Sequence, residues 1–148
     1  SERAKAGEPV QVRFYYHGPA IGSNRRLQPA KGRMVSTVSY AKFKEALAVT
    51  FLSQKNGLET IKKPQEVSLD ILIRCPPKAD PTNFLKPIAD ALEVAEVYEN
   101  DRQVAQVKIT ESVTHSKPGH ATFVIAVGIG AGRTIGGEEA LDAAEKNA

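Results

Sequence analysis

At 148 residues and 16.0 kDa, 41% hydrophobic and 25% charged, the chain suits one soluble globular domain. A lone cysteine, Cys75, excludes an internal disulfide and a cysteine-built zinc cage, and no apolar run approaches the ~20 residues of a membrane span. The net charge of +3 is uneven: residues 1–63 carry 12 Lys/Arg against 4 Asp/Glu, and residues 64–148 carry 8 against 13. A basic half joined to an acidic half is what a polyanion-facing surface beside a carboxylate site would need, and also what chance unevenness gives. Residues 1–7 lack the apolar core of a secretory signal, so the expected location is cytoplasmic.

Residues 10–16 (VQVRFYY) are β-branched and aromatic and end at Gly18-Pro19, which predicts a strand. Residues 17–33 hold three glycines and two prolines among Arg25, Arg26, Lys31 and Arg33, with no packing stripe, so an exposed, mobile basic loop is expected. Ser39 could cap a helix over 40–54, with Phe43, Leu47 and Phe51 as its buried stripe and Lys55-Asn56-Gly57 as its stop. Residues 67–75 alternate, placing Val67, Leu69, Ile71 and Ile73 on one face of a strand. A second helix is expected over about 83–97, a third strand over 103–113 and a fourth over 121–129. The short connection at 116–120 would make these last two an antiparallel hairpin.

The order β-α-β-α-β-β predicts an α+β fold, a single mixed β-sheet with two helices packed on it. Residues 1–130 would form the domain, and the Gly/Ala-rich, then acidic stretch 131–148 a flexible tail.

Residues 80–103 (DPTNFLKPIADALEVAEVYENDRQ) are where chemistry concentrates. Wound at about 100° per residue, the helical part buries Phe84, Leu85, Ile88, Ala91, Leu92 and Ala95 and puts Asn83, Lys86 and Asp90 together on the opposite face. Asp80 precedes the helix and Asp101 lies in the turn after it. Carboxylates near a lysine can hold a hard Mg²⁺ ion and stabilise charge on a phosphodiester. The same residues also have a purely structural reading: Asp80-Pro81 as a helix start, Lys86 and Asp90 as an i,i+4 ion pair, Asn100-Asp101 as turn formers.

The pattern D-x-x-N-x-x-K-x-x-x-D-A-L followed by N-D-x-Q resembles the RusA family of Holliday-junction endonucleases, on Asp80, Asn83, Lys86, Asp90-Ala91-Leu92, Asp101 and Gln103. The opening strand, Gly18-Pro19 and Asn24 with its basic neighbours resemble the same family, and the likeness extends over about 10–129. It implies a homodimeric, Mg²⁺-dependent resolvase, with Mn²⁺ as a substitute ion, that nicks opposed strands of four-way DNA junctions, often encoded by phages or prophages. Asp80 and Asp101 would then bind metal, Lys86 would act on the scissile phosphate, and Asn83 and Asp90 would orient the site. Asn24, Arg25, Arg26, Lys31 and Arg33 would bind DNA. One departure stands out: the family usually reads D-x-D-N, where this chain has Thr82, and usually closes on paired aspartates, where it has Asn100-Asp101. A hydroxyl in place of a carboxylate weakens metal binding unless Glu99, Asp90 or Asp70 compensates. That leaves two expectations, an active junction nuclease or a catalytically weak junction-binding protein, and a third, a scaffold domain, that the basic loop disfavours.

Overall fold

The computed structural model describes residues 10–25, 27–30, 33–129 and 137–147. Four strands form one mixed sheet in the order β1-β6-β4-β5: β1 (Val10–Pro19), β4 (Val67–Arg74), β5 (Val104–Glu111) and β6 (His120–Ile129). β6 runs antiparallel to both of its neighbours, and β5 runs parallel to β4. Within the stretch read as a loop, β2 (Leu27–Ala30) and β3 (Arg33–Ser36) pair as a separate antiparallel hairpin.

The expected pairing of the last two strands is therefore overturned. The chain 85–94 crosses over as helix between β4 and β5, and such a crossover returns the next strand parallel to the first. Strand β5 (VAQVKITE) is half polar and largely exposed, which suits an edge. Strand β6 (HATFVIAVGI) is buried along eight consecutive residues, which suits the centre between β1 and β4. The connection is tethered to the end of β4 on its way, Ser112 N donating to Ile73 O at 2.7 Å and Ser116 N to Cys75 O at 3.2 Å.

Helix α1 (Val38–Lys55) is capped by Thr37, whose hydroxyl accepts from Tyr40 N at 3.2 Å, so the cap falls two residues before Ser39. It stops as expected, with Asn56 and Gly57 both in the left-handed region. Helix α2 (Leu85–Val94) is shorter than read, because residues Pro81–Phe84 form a 3₁₀ turn ahead of it. Pro87 stands in the first turn of α2, where a missing N–H costs nothing. The far end closes on Glu96, a non-glycine at φ 60.

Both helices lie on one face of the sheet. Phe14, Tyr16, Ile71, Ile73, Phe123 and Ile125 meet Phe43, Leu47 and Phe51 of α1 and Ile88, Ala91 and Leu92 of α2 in one core. The region read as a flexible tail holds a third helix, α3 (Glu138–Lys146), against the other face. Leu141 and Ala144 pack there on Leu72, Val124 and Ala126. This explains why every residue of β4 is buried rather than alternate ones. Arg74, which would otherwise face water, is ion-paired to Glu138, Asp142 and Glu145 of α3 at 2.6, 2.9 and 2.7 Å. Among the described residues no helix is long and apolar enough to cross a membrane.

Candidate functional site

The 3₁₀ turn before α2 is held down by aromatic packing. Phe84 sits 5.3 Å from the ring of Phe123, which in turn stacks on Tyr16 at 5.7 Å. With Phe84 buried, the residues before it are presented at the surface. Asp80 is the cap: its Oδ1 accepts from Thr82 N at 2.9 Å and from Thr82 Oγ1 at 2.7 Å. These bonds, the hydroxyl's first, hold the Asp80 carboxyl below the usual range, so it is an exposed, firmly ionised carboxylate. Thr82 thus spends its hydroxyl proton on Asp80, a role its sequence position did not reveal.

Asp80 and Asn83 line a cleft together with Asn24, Lys78 and His120. Gly22 is what lets the Asn24 segment approach: a Cβ there would lie 2.8 Å from Asn24 Oδ1 and 3.1 Å from Asn83 Cβ. Of the expected DNA-binding residues, Asn24 is therefore at the cleft. Arg26 and Lys31 lie outside the described residues, as do the side chains of Arg25 and Arg33.

The other expected residues gather elsewhere. Lys86 Nζ is 3.5 Å from Asp90 Oδ2, which Lys44 of α1 also approaches at 3.3 Å, so Asp90 joins the two helices. Asp101 opens a short 3₁₀ turn beyond α2, and its N–H donates to Glu93 Oε1 at 2.7 Å. Asp80 thus stands before the start of α2 and Asp101 beside its last turn, and a ten-residue helix is about 15 Å long. Burial raises the Tyr98 phenol, with Asp101, Glu93 and Asp90 adding to the rise, so these three carboxylates share that end of the helix.

A single ion held by Asp80 and Asp101 does not fit this arrangement within one chain. Among the described residues, no three His, Cys, Asp or Glu side chains group to hold a metal. None of the three possible substitutes for the missing acid lines the cleft. Glu99 Oε1 accepts from Lys63 N at 2.7 Å, Asp90 is ion-paired, and Asp70 is buried beside Lys108, burial raising its carboxyl and Lys108 opposing the rise.

Asn100 and Gln103 have structural work. Asn100 Oδ1 accepts from Arg102 N at 2.8 Å, while the buried Gln103 amide accepts from Glu99 N and Asn100 N and donates to Ile61 O and Gln65 O. The capping needs only a side-chain oxygen, which is why asparagine serves there. Sequence reasoning missed Lys78 and His120. Lys78 stands two residues before Asp80, but His120 is 40 residues away, and no spacing signals its arrival.

A comparison with curated proteins returns no match. A family model does match, that of Endodeoxyribonuclease RusA, over residues 17–124, a span that takes in the cleft, the 3₁₀ turns on either side of α2 and the strand β5. Asp80, Thr82, Asn83, Lys86 and Asp101 all fall within it, and with well over half of its length matched, the chain belongs to the RusA endodeoxyribonuclease family.

Proposed function

We propose that this protein is a structure-selective endonuclease that acts as a homodimer on four-way DNA junctions and hydrolyses a phosphodiester with the help of Mg²⁺ or Mn²⁺. The observation that carries the reading is the cleft in which Asp80 and Asn83 meet Asn24, the residue from which the basic segment sets out. Arg25, Arg26, Lys31 and Arg33 would neutralise backbone phosphates, a binding mode that favours any DNA and weakens with salt. Asn83 offers an amide donor to a phosphate oxygen, and Thr82 keeps Asp80 charged and oriented.

A second reading has a specific observation in its favour. Among the described residues Asp80 is the one aspartate or glutamate lining the cleft, one of its oxygens already accepts two bonds, and Asp101 stands at the far end of α2. Hydrated Mg²⁺ takes one or two carboxylates, so a single one is at the weak end. This favours a protein that binds junctions well and cuts them slowly.

The test is a time course of nicking on a synthetic four-way junction and on linear duplex of equal length, in Mg²⁺, in Mn²⁺ and in EDTA. The nuclease reading expects paired nicks near the branch that need the ion. Tight, junction-preferring binding without nicks in either ion establishes the second reading. Equal, weak affinity for junction and duplex overturns both.

A further inference from the structure

We propose that the free edge of β1 is a docking groove for an extended, acidic peptide segment of a partner protein, with the Gln54 side chain holding its central position in the unbound chain. β1 pairs with β6 on one side only, so its other edge ends the sheet. On that edge Gln54 Oε1 accepts from Tyr15 N at 2.7 Å, and Gln54 Nε2 donates to Tyr15 O at 2.8 Å. One side-chain amide thus answers Tyr15 as a peptide unit of a neighbouring strand would. In an antiparallel ladder the outward-turned residues alternate, so Arg13 and His17 turn their N–H and C=O to the same side. Neither finds a partner there among the described residues. Such a row of main-chain groups is a template for another chain. An incoming strand replaces Gln54 amide for amide at Tyr15 and adds the bonds at Arg13 and His17.

The space beside this edge suits such a segment. A cleft of about 680 Å³ lies along it between α1 and α3, within the range of ligand clefts. On the α3 side it is lined by Ala140 and Ala143, whose short side chains leave room for a main chain beside the strand. Among the described residues no aspartate or glutamate lines the cleft, and Arg13 is exposed and makes no ion pair. Glu145 of α3 is already paired with Arg74, and it accepts from the Thr122 hydroxyl that His17 Nδ1 meets at 2.8 Å. The unanswered charge at the edge is therefore positive. It selects a segment with a carboxylate opposite Arg13 and an apolar side chain opposite the half-buried Tyr15. A second copy of this chain lacks that pattern: β1 paired with its own copy about Tyr15 sets Arg13 against His17, with no carboxylate between them. The groove shares no lining residue with the Asp80 cleft, so its occupation does not depend on the nuclease reading.

The experiment titrates the full chain into dye-labelled acetyl-Ser-Asp-Ser-Phe-Ser-Asp-Ser-amide, whose order reads alike in either strand direction. It follows anisotropy, and hydrogen exchange of the β1 amides. Two control peptides carry lysines for the aspartates, or N-methyl groups on the phenylalanine and both aspartates. The acidic peptide is expected to bind and to protect the Arg13 and His17 amides from exchange. The lysine peptide should bind more weakly by about tenfold, and the N-methylated one, which cannot donate to the strand, not at all. Arg13→Ala should lose about tenfold for the acidic peptide, and Arg13→Glu should prefer the lysine peptide. Gln54→Ala, which vacates Tyr15, should bind the acidic peptide several-fold more tightly. Where Gln54→Ala does not fold, the reversal in Arg13→Glu, at an exposed position, decides the matter. No binding of the acidic peptide at millimolar concentration overturns the inference. So does equal binding of the N-methylated peptide, which attraction between charges alone would give. Protection of the same amides by raised protein concentration or by junction DNA, with none from the peptide, overturns it in favour of a second copy or a nucleic acid.

Discussion

The two faces of the sheet use the same chemical groups in opposite ways. Beneath α3, Arg74 meets Glu138, Asp142 and Glu145, and the neighbouring hydroxyls of Ser112 and Thr122 donate to Glu138 and Glu145 at 2.6 and 2.8 Å. Arg74, Ser112 and Thr122 each find an acceptor, and the Arg74 side chain is 7% exposed. At the other site Asp80 is open to solvent and, among the described residues, has no ion-pair partner. A saturated cluster fixes one element on another, whereas an unsaturated one leaves free energy for a ligand. Charge content alone does not distinguish the two; the partner list does.

The sharpest way to break the contrast is Arg74→Ala. It strips the counter-charge from three carboxylates at once, and we expect a loss of roughly 2–4 kcal/mol in urea unfolding. That lies below the ~3–5 kcal/mol typical of fully buried pairs, because Asp142 and its neighbours can still reach water. Affinity for junction DNA per folded molecule should not change, and a parallel loss of affinity would mean the two faces are not independent.

Thr82→Asp tests the other site. It restores the acid of the family pattern and frees the Asp80 oxygen that the Thr82 hydroxyl now occupies. We expect wild-type nicking to be slow in Mg²⁺, faster in Mn²⁺, and raised on the order of tenfold or more by the substitution. Brisk nicking by the wild type in Mg²⁺, with no gain in the variant, would show that Thr82 costs nothing.

A smaller effect separates the faces by pH. The Ser112 hydroxyl and the Arg74 guanidinium hold Glu138 down to about 2. Glu145 is lowered too, with burial opposing and Arg74 and Thr122 prevailing. A carboxyl depressed by folding contributes its full stability above the unfolded value of about 4.3, and loses it as pH falls through the folded value. The melting temperature should therefore decline as pH drops from about 5 toward 2, and Arg74→Ala should flatten that decline. The least change is expected from Lys86→Ala, which removes an exposed i,i+4 pair worth about 0.3–0.5 kcal/mol. Cleavage lost at unchanged stability would give Lys86 a role in nicking.

The sequence by itself determined the local elements and the motif. Residues 10–16, 40–54 and 67–75 carry their own strand and helix patterns, and the buried stripe of α2 follows from its spacing. The block 80–103 carries the family's motif in its residue spacing alone. Only the tertiary structure decided what meets what. Strand β6 sits between β1 and β4 because a fully apolar strand gains most from burial on both faces, and that ordering cannot be read from a short connecting loop. Helix α3 forms where the composition reads as a tail, because Leu141, Ala144 and three carboxylates find partners on β4 and β6. Asp80 and Asp101, 21 residues apart and alike in sequence, part to opposite ends of α2, since each end of a helix takes its own caps. His120 comes to the Asp80 cleft through backbone bonds between distant stretches, Ala20 N to Gly119 O and Ser116 N to Cys75 O, contacts that leave no periodic trace in the chain.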